Sequence, residues 1–224
     1  MVRAAMFDVD GTLVDTNYLH VTAWWEAFRQ EGHTVPMVAV HQAIGLGSAD
    51  LIDHLLGPAR DRERDARISG THSALYATHF ERLAVVDGAA DLLRALAAQG
   101  WKVVLATSAS GSELAALRRA LDADDVITDT ASADDVNEGK PAPAPIRHAM
   151  ELAGGTSAEA VYVGDSVWDM KAATSASVTA VALLSGGIAR QELVEAGAAE
   201  VYRNPADLLA HLDSSIISRI GGAG

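Results

Sequence analysis

Four short apolar runs, each ending in small and polar residues, limit what this chain can fold into. Ala4 to Phe7 gives way to Asp8-Val9-Asp10-Gly11-Thr12, and Val103-Val104-Leu105-Ala106 gives way to Thr107-Ser108. Ala160-Val161-Tyr162-Val163 runs into Gly164-Asp165-Ser166, and Val178 to Leu184 runs into Ser185-Gly186-Gly187. Runs this short and this continuously apolar suit strands buried on both faces. Helical patterns separate them: Gly88 to Gln99 stopping at Gly100, Ser112 to Leu121 opening on Ser112-Glu113, and Pro143 to Ala153 stopping at Gly154-Gly155. The alternation predicts an α/β fold, a doubly wound parallel sheet of Rossmann-like type with helices on both faces. Ligands of such sheets sit outside the carboxyl ends of the strands, where the polar clusters fall.

Residues 16–83 break the alternation. Trp24, Trp25 and Phe28 on one segment and Leu51, Ile52, Leu55 and Leu56 on another follow helical spacing, with no convincing strand between them. They predict a helical insertion after the first strand. The Trp24-Trp25 pair is expected to pack this insertion rather than form a substrate platform, because adjacent helical residues cannot both face one cleft.

The chain has no cysteine, which excludes disulfides, thiolate catalysis and cysteine-ligated zinc. Its 30 acidic against 17 basic residues, a formal net charge of −13, argue against nucleic acid and anionic lipid as partners. The N-terminal apolar run is far shorter than a signal-peptide core, and no stretch of about 20 apolar residues occurs, so a soluble, cytoplasmic protein with no membrane partner is expected. An anionic substrate would need a local positive site built from metal, lysine and backbone amides. The only lysines are Lys102, Lys140 and Lys171.

Asp8 and Asp10 stand two apart at a strand end and can face one reacting centre. Crowding two anions is costly unless a cation neutralises them or one holds a proton. Asp165 and Asp169 lie four apart at the start of a predicted helix and share a face. Each pair alone also suits a capped turn or helix start; both at strand ends of one sheet do not. Lys140 sits before Pro141 in a loop that prolines stiffen, and can act as counter-ion among the four carboxylates.

In this order the pieces resemble the haloacid dehalogenase superfamily. Asp8-Val9-Asp10-Gly11-Thr12-Leu13-Val14-Asp15-Thr16 fits its first motif, Thr107-Ser108 its second, Lys140-Pro141 its third and Gly164-Asp165-Ser166-Val167-Trp168-Asp169 its fourth. The insertion resembles the subgroup of phosphoglycolate phosphatases, sugar-phosphate phosphatases and β-phosphoglucomutase, which implies an α/β core of residues 1–15 and 84–224 and a helical cap of 16–83. The resemblance implies a Mg2+-dependent phosphatase acting on a small phosphorylated metabolite. Asp8 would be the nucleophile and Asp10 the acid and base, with Lys140 and Thr107 or Ser108 on the phosphoryl group. Asp8, Asp10 and Asp165 would hold the metal, Asp169 would support that shell, and Gly11, Gly45 and Ser110 would line the substrate. His20 matches a histidine near the acid/base aspartate in several members, although a lone histidine also fits a helix core. A monomer and a mobile cap, hinged near 15–16 and 83–86, are expected from the same resemblance.

Asp10 argues against dehalogenation, since dehalogenases usually lack a second aspartate in the first motif. A mutase needs cap cations for a second phosphate, yet 16–83 contains no lysine, although the arginines at 60, 62, 64 and 67 remain to be placed. A non-catalytic binding module would tolerate gaps in the motifs, and none is seen. Ser177 departs from a frequent glycine after the fourth-motif helix.

Overall fold

The computed structural model describes residues 2–221. Six parallel strands form one sheet: β1 (Ala4–Phe7), β2 (Lys102–Ala106), β3 (Ile127–Ala131), β4 (Ala160–Gly164), β5 (Thr179–Leu183) and β6 (Glu200–Tyr202), in the order β3-β2-β1-β4-β5-β6. β1 is central, and the strand order reverses there, β2 flanking one side and β4 the other. Ligands of doubly wound sheets bind at such a point. The register levels the functional ends: Phe7 pairs with Leu105 and with Val163. Asp8 N–H donates to the Val163 carbonyl (2.9 Å) and Thr107 N–H to the Ala131 carbonyl (3.0 Å), which carries the ladder one residue beyond the strands.

Two apolar layers sandwich the sheet. On one face Ala5, Phe7, Val103, Leu105, Val161 and Val163 pack under α5 (Ala89–Ala98), α6 (Gly111–Leu121) and α10 (Pro205–Ala210). On the other, Met6, Val104, Tyr162 and Ala180 pack under α7 (Ala144–Ala153), α8 (Val167–Ser175) and α9 (Arg190–Glu195). Each buried Val, Leu or Phe side chain stabilises by roughly 1.5–3 kcal/mol relative to exposure, so the central strands anchor the site's geometry. A last helix, α11 (Ile216–Gly221), closes the first face through Ile217.

Between β1 and α5 the chain forms α1 (Asn17–Gln30), α2 (Met37–Ala43), α3 (Ser48–Leu56) and α4 (Asp65–Ala77). They share their own core, with Trp24, Phe28, Val40, Leu51, Ile52 and Ile68 buried together. The outgoing and returning chain segments lie side by side: Asp15 N–H donates to the Ala84 carbonyl (2.8 Å) and Val86 N–H to the Leu13 carbonyl (2.9 Å). This helical unit contacts the main body through Trp168, whose indole N–H donates to the Gln42 carbonyl (2.9 Å), and through His41 Nε2, 2.7 Å from the Gly186 carbonyl. No helix among the described residues is long and apolar enough to cross a membrane.

Two strands, β3 and β6, are absent from the sequence reading. β3 is a half-exposed Ile-Thr-Asp-Thr-Ala edge segment and β6 spans three half-buried residues, so neither carries an apolar run. Ser177 has φ +60°, the left-handed conformation glycine favours, just past the end of α8.

Candidate active site

Asp8 leaves β1 into the switch point and is 4 % exposed. Its Oδ1 accepts from Lys140 Nζ at 2.7 Å; the same ammonium lies 2.8 Å from Asp169 Oδ1 and is 1 % exposed. Burial opposes the Lys140 charge, but Asp169 and Asp8 outweigh it and hold the ammonium well above its ordinary pKa. Asp8 is pushed well above the usual carboxylate range by burial, against the pull of Lys140 and with the push of Asp169, Asp165 and Asp10.

The fourth-motif helix supplies the other two buried carboxylates. Ser166 caps α8, with its hydroxyl accepting from Asp169 N–H (3.2 Å) while Asp169 Oδ2 accepts from Ser166 N–H (3.0 Å) and its hydroxyl (2.6 Å). Asp169 Oδ1 also accepts from the Tyr162 hydroxyl (3.0 Å), so both its oxygens are engaged by protein donors. Asp165 Oδ1 accepts from Thr12 (2.8 Å) and Oδ2 from Asn17 (2.8 Å); burial and Asp169 push this carboxyl up to about 7. Gly11, at φ +72°, and Gly186 both abut the Asp165 carboxylate so closely that a Cβ at either would collide with it.

Three buried carboxylates, Asp8, Asp165 and Asp169, place ligand oxygens within 4.8 Å of one another and face one buried ammonium. The excess negative charge and the oxygen-only donor set fit a hard divalent cation. Asn17 Oδ1, buried beside Asp165 without a protein partner, adds a further oxygen.

Asp10 reaches forward into the space under the helical unit. Its Oδ1 accepts from the Thr16 hydroxyl (2.6 Å) and lies 3.2 Å from His20 Nε2. Burial would raise Asp10, but the His20 and Thr16 hydrogen bonds and the His20 charge hold it below the usual range. Burial would lower His20, but the Asp10 hydrogen bond and the Asp10 and Glu113 charges lift it. Glu113 Oε1 lies 3.6 Å from His20 Nε2, and burial, countered by His20 and aided by Asp10, raises Glu113 to about 7. Behind His20, His72 Nε2 sits 3.0 Å from His20 Nδ1 and stacks on Trp24 with ring centroids 3.9 Å apart. Burial and the His20 charge depress His72 to about 2, which keeps it neutral.

The structure gathers Asp8, Asp10, His20, Gly45 and Ser108 around one cavity of about 60 Å³. Thr107, Ser108 and Lys140 line an adjoining cavity of about 220 Å³. Thr107 Oγ1 accepts from Ala109 N–H (3.0 Å), which leaves its hydroxyl hydrogen to donate. Gly45, at φ +103°, approaches Ser166 so closely that a Cβ would lie 2.6 Å from its hydroxyl, so it seats the helical unit on the fourth-motif loop. Ser110 stands at the N-cap position of α6 and lines neither cavity. Trp24 both packs the helical unit and lines the smaller cavity. The arginines at 60, 62, 64 and 67 pair with Asp53, Asp65, Asp61 and Glu31 of the same unit and line neither cavity.

Sequence reasoning passed over Asn17, His72 and Glu113 as site residues. Asn17 directly follows the first-motif segment, and His72 and Tyr76 share a face of α4, which were the available signals.

A fold with its acidic strand ends at the switch point and a lysine among them defines a class, and sequence comparison names it. The chain belongs to the haloacid dehalogenase-like hydrolase family, whose model matches residues 2–177. It is 31% identical over 223 residues to a phosphoglycolate phosphatase of Rhodospirillum rubrum, an alignment covering 93% of this chain and 90% of that protein. A hydrolase from Pseudomonas syringae superposes with TM-score 0.90 at 35% identity, covering 95% of this chain and 98% of that one. The CbbY protein of Rhodobacter sphaeroides, solved with phosphate, superposes with TM-score 0.79 at 27% identity, covering 95% and 100%. The chain is thus an enzyme of the phosphatase type.

Proposed function

We propose that this enzyme is a Mg2+-dependent phosphatase of small phosphorylated metabolites that works through an aspartyl-phosphate on Asp8. The observation that carries this reading is the Asp8 carboxylate held by Lys140 at 2.7 Å, at the bottom of a cavity whose wall also presents Asp10. Asp8 attacks phosphorus, forming a new O–P bond as the ester P–O bond breaks, a recognised covalent role for a carboxylate. Asp10 gives the proton to the departing alcohol oxygen, and then takes one from the water that attacks the phosphorus of the aspartyl-phosphate, which regenerates Asp8 and releases phosphate. His20, hydrogen-bonded to Asp10, keeps that proton available to the pair.

Asp8, the Asp10 backbone carbonyl and Asp165 would hold magnesium, while Asp169 orients Lys140 and the α8 start. The bound ion supplies positive charge against the phosphoryl oxygens. Thr107 and Ser108 donate to the phosphoryl group, and Lys140 offsets its charge. Residues 16–83 act as a cap that shuts water out, moving about the paired segments near 15–16 and 83–86. Hydrolysis is favoured over phosphoryl return to a second site because the cap arginines at 60, 62, 64 and 67 are tied to acidic partners and the cap has no lysine.

The test is phosphate release from a panel of phosphorylated metabolites, with and without magnesium, for the native chain and Asp8→Asn. Release that needs both magnesium and Asp8 is expected. Release that survives Asp8→Asn at the native rate rules the mechanism out.

A further inference from the structure

We propose that Glu113 makes this site selective against anionic leaving groups, so that its substrates are phosphate esters of small neutral or amine-bearing alcohols. The inference rests on the hydrolase reading above and specifies its substrate class. It also separates this chain from the function in the names of its phosphoglycolate phosphatase relatives, whose named substrate has a carboxylate on its leaving group.

Asp10 hands its proton to the leaving oxygen, so the first atoms of the leaving group lie beside the Asp10 carboxylate. The Glu113 carboxylate, the His20 ring and the Asp10 carboxylate place their polar atoms within 4.8 Å of one another, on the wall of the smaller cavity. That cavity, about 60 Å³, is narrow, so a leaving group that enters it brings its substituents close to Glu113. Asp10 holds the proton it delivers at this stage, so the repelling group is Glu113, whose carboxylate, when ionised, opposes an added anion in a half-shielded cleft.

Nothing cationic on this wall is free to offset them. Among the described residues, no arginine or lysine lines the smaller cavity. The His20 imidazole lies between Asp10 (3.2 Å) and Glu113 (3.6 Å) and already answers two carboxylates. The N-terminus of α6, which would otherwise favour an anion, has Glu113 in its own first turn. A leaving group turned the other way meets a second acid. The adjoining cavity shares Ser48 and Ser108 and presents Asp50. Lys140 lines that cavity too, but its ammonium is bound to Asp8 and Asp169.

The experiment compares kcat/KM, in the presence of magnesium, for three esters of similar size: ethanolamine phosphate, ethylene glycol monophosphate and 2-phosphoglycolate. An aryl phosphate serves as control, and native chain and Glu113→Gln are assayed side by side. The native chain should favour the first two esters over 2-phosphoglycolate by about tenfold or more, the size a nearby like charge imposes in such a cleft. Glu113→Gln should shrink that ratio several-fold, whatever it does to the absolute rates. A native chain that prefers 2-phosphoglycolate, one that turns over the aryl phosphate but none of the three esters, or an unchanged ratio in Glu113→Gln overturns the inference and leaves the hydrolase reading standing. No turnover even of the aryl phosphate overturns the hydrolase reading, and this inference with it.

Discussion

The Lys140 ammonium lies 2.7 Å from Asp8 and 2.8 Å from Asp169, in a site whose three buried carboxylates have no other buried lysine or arginine beside them among the described residues. Breaking a buried ion pair leaves its partners uncompensated, at a cost of about 3–5 kcal/mol. Lys140→Met should therefore lower unfolding free energy by that order and abolish phosphate release. Chemical denaturation with and without magnesium checks this, and magnesium should restore part of the loss because a cation then answers the same carboxylates. Gly11 and Gly186 belong to the same electrostatic arrangement, since any side chain at either position would enter the space of the Asp165 carboxylate.

α8 shows how much of one element can be read in a sequence. Its start near Asp165 and Ser166 and its place after β4 follow from the segment Gly164 to Asp169, while the structure makes Ser166 the capping residue. Its end does not: Ser177 adopts φ +60° where glycine would be unstrained, and only the backbone reveals this. Left-handed backbone costs an L-residue roughly 1–2 kcal/mol, so Ser177→Gly should stabilise by about 0.5–1 kcal/mol after glycine's own entropy is subtracted. The shift in the denaturation midpoint measures it, and an unchanged midpoint would place the strain elsewhere. The four central strands and the motif residues at their ends are legible because each is a local apolar run followed by its own polar residues. β3 and β6 are not, since half-exposed edge strands of three to five residues become strands only by pairing with β2 and β5. Glu113 and His72 escape for a related reason. They reach the site from α6 and α4, and only the packing of helices distant in sequence brings them to His20.

The whole molecule carries a formal charge of −13, while the site it surrounds is proposed to take a phosphate ester. That field opposes the approach of an anionic substrate and weakens as salt shortens its range to about 10 Å at 0.1 M. Accordingly kcat/KM at fixed magnesium should rise a few-fold between low and physiological ionic strength, opposite to the trend of an enzyme that steers its substrate electrostatically; stopped-flow or initial-rate measurements across a salt series would show it. The helices α1 to α4 pack around a core of their own and touch the sheet body at Gly45, Gln42 and His41, the contacts that the proposed cap movement would have to break and remake. The proposed mechanism turns on one covalent event on Asp8. The decisive measurement is the mass of the enzyme quenched during turnover of an aryl phosphate whose leaving group needs no protonation, using the native chain, Asp10→Asn and Asp8→Asn. The mechanism predicts one added phosphoryl group on the peptide containing Asp8, enriched in Asp10→Asn because the attacking water has lost its base, and none in Asp8→Asn. Turnover by the native chain with no phosphoryl group on Asp8 in either Asp8-containing protein, or with undiminished phosphate release from Asp8→Asn, would contradict it.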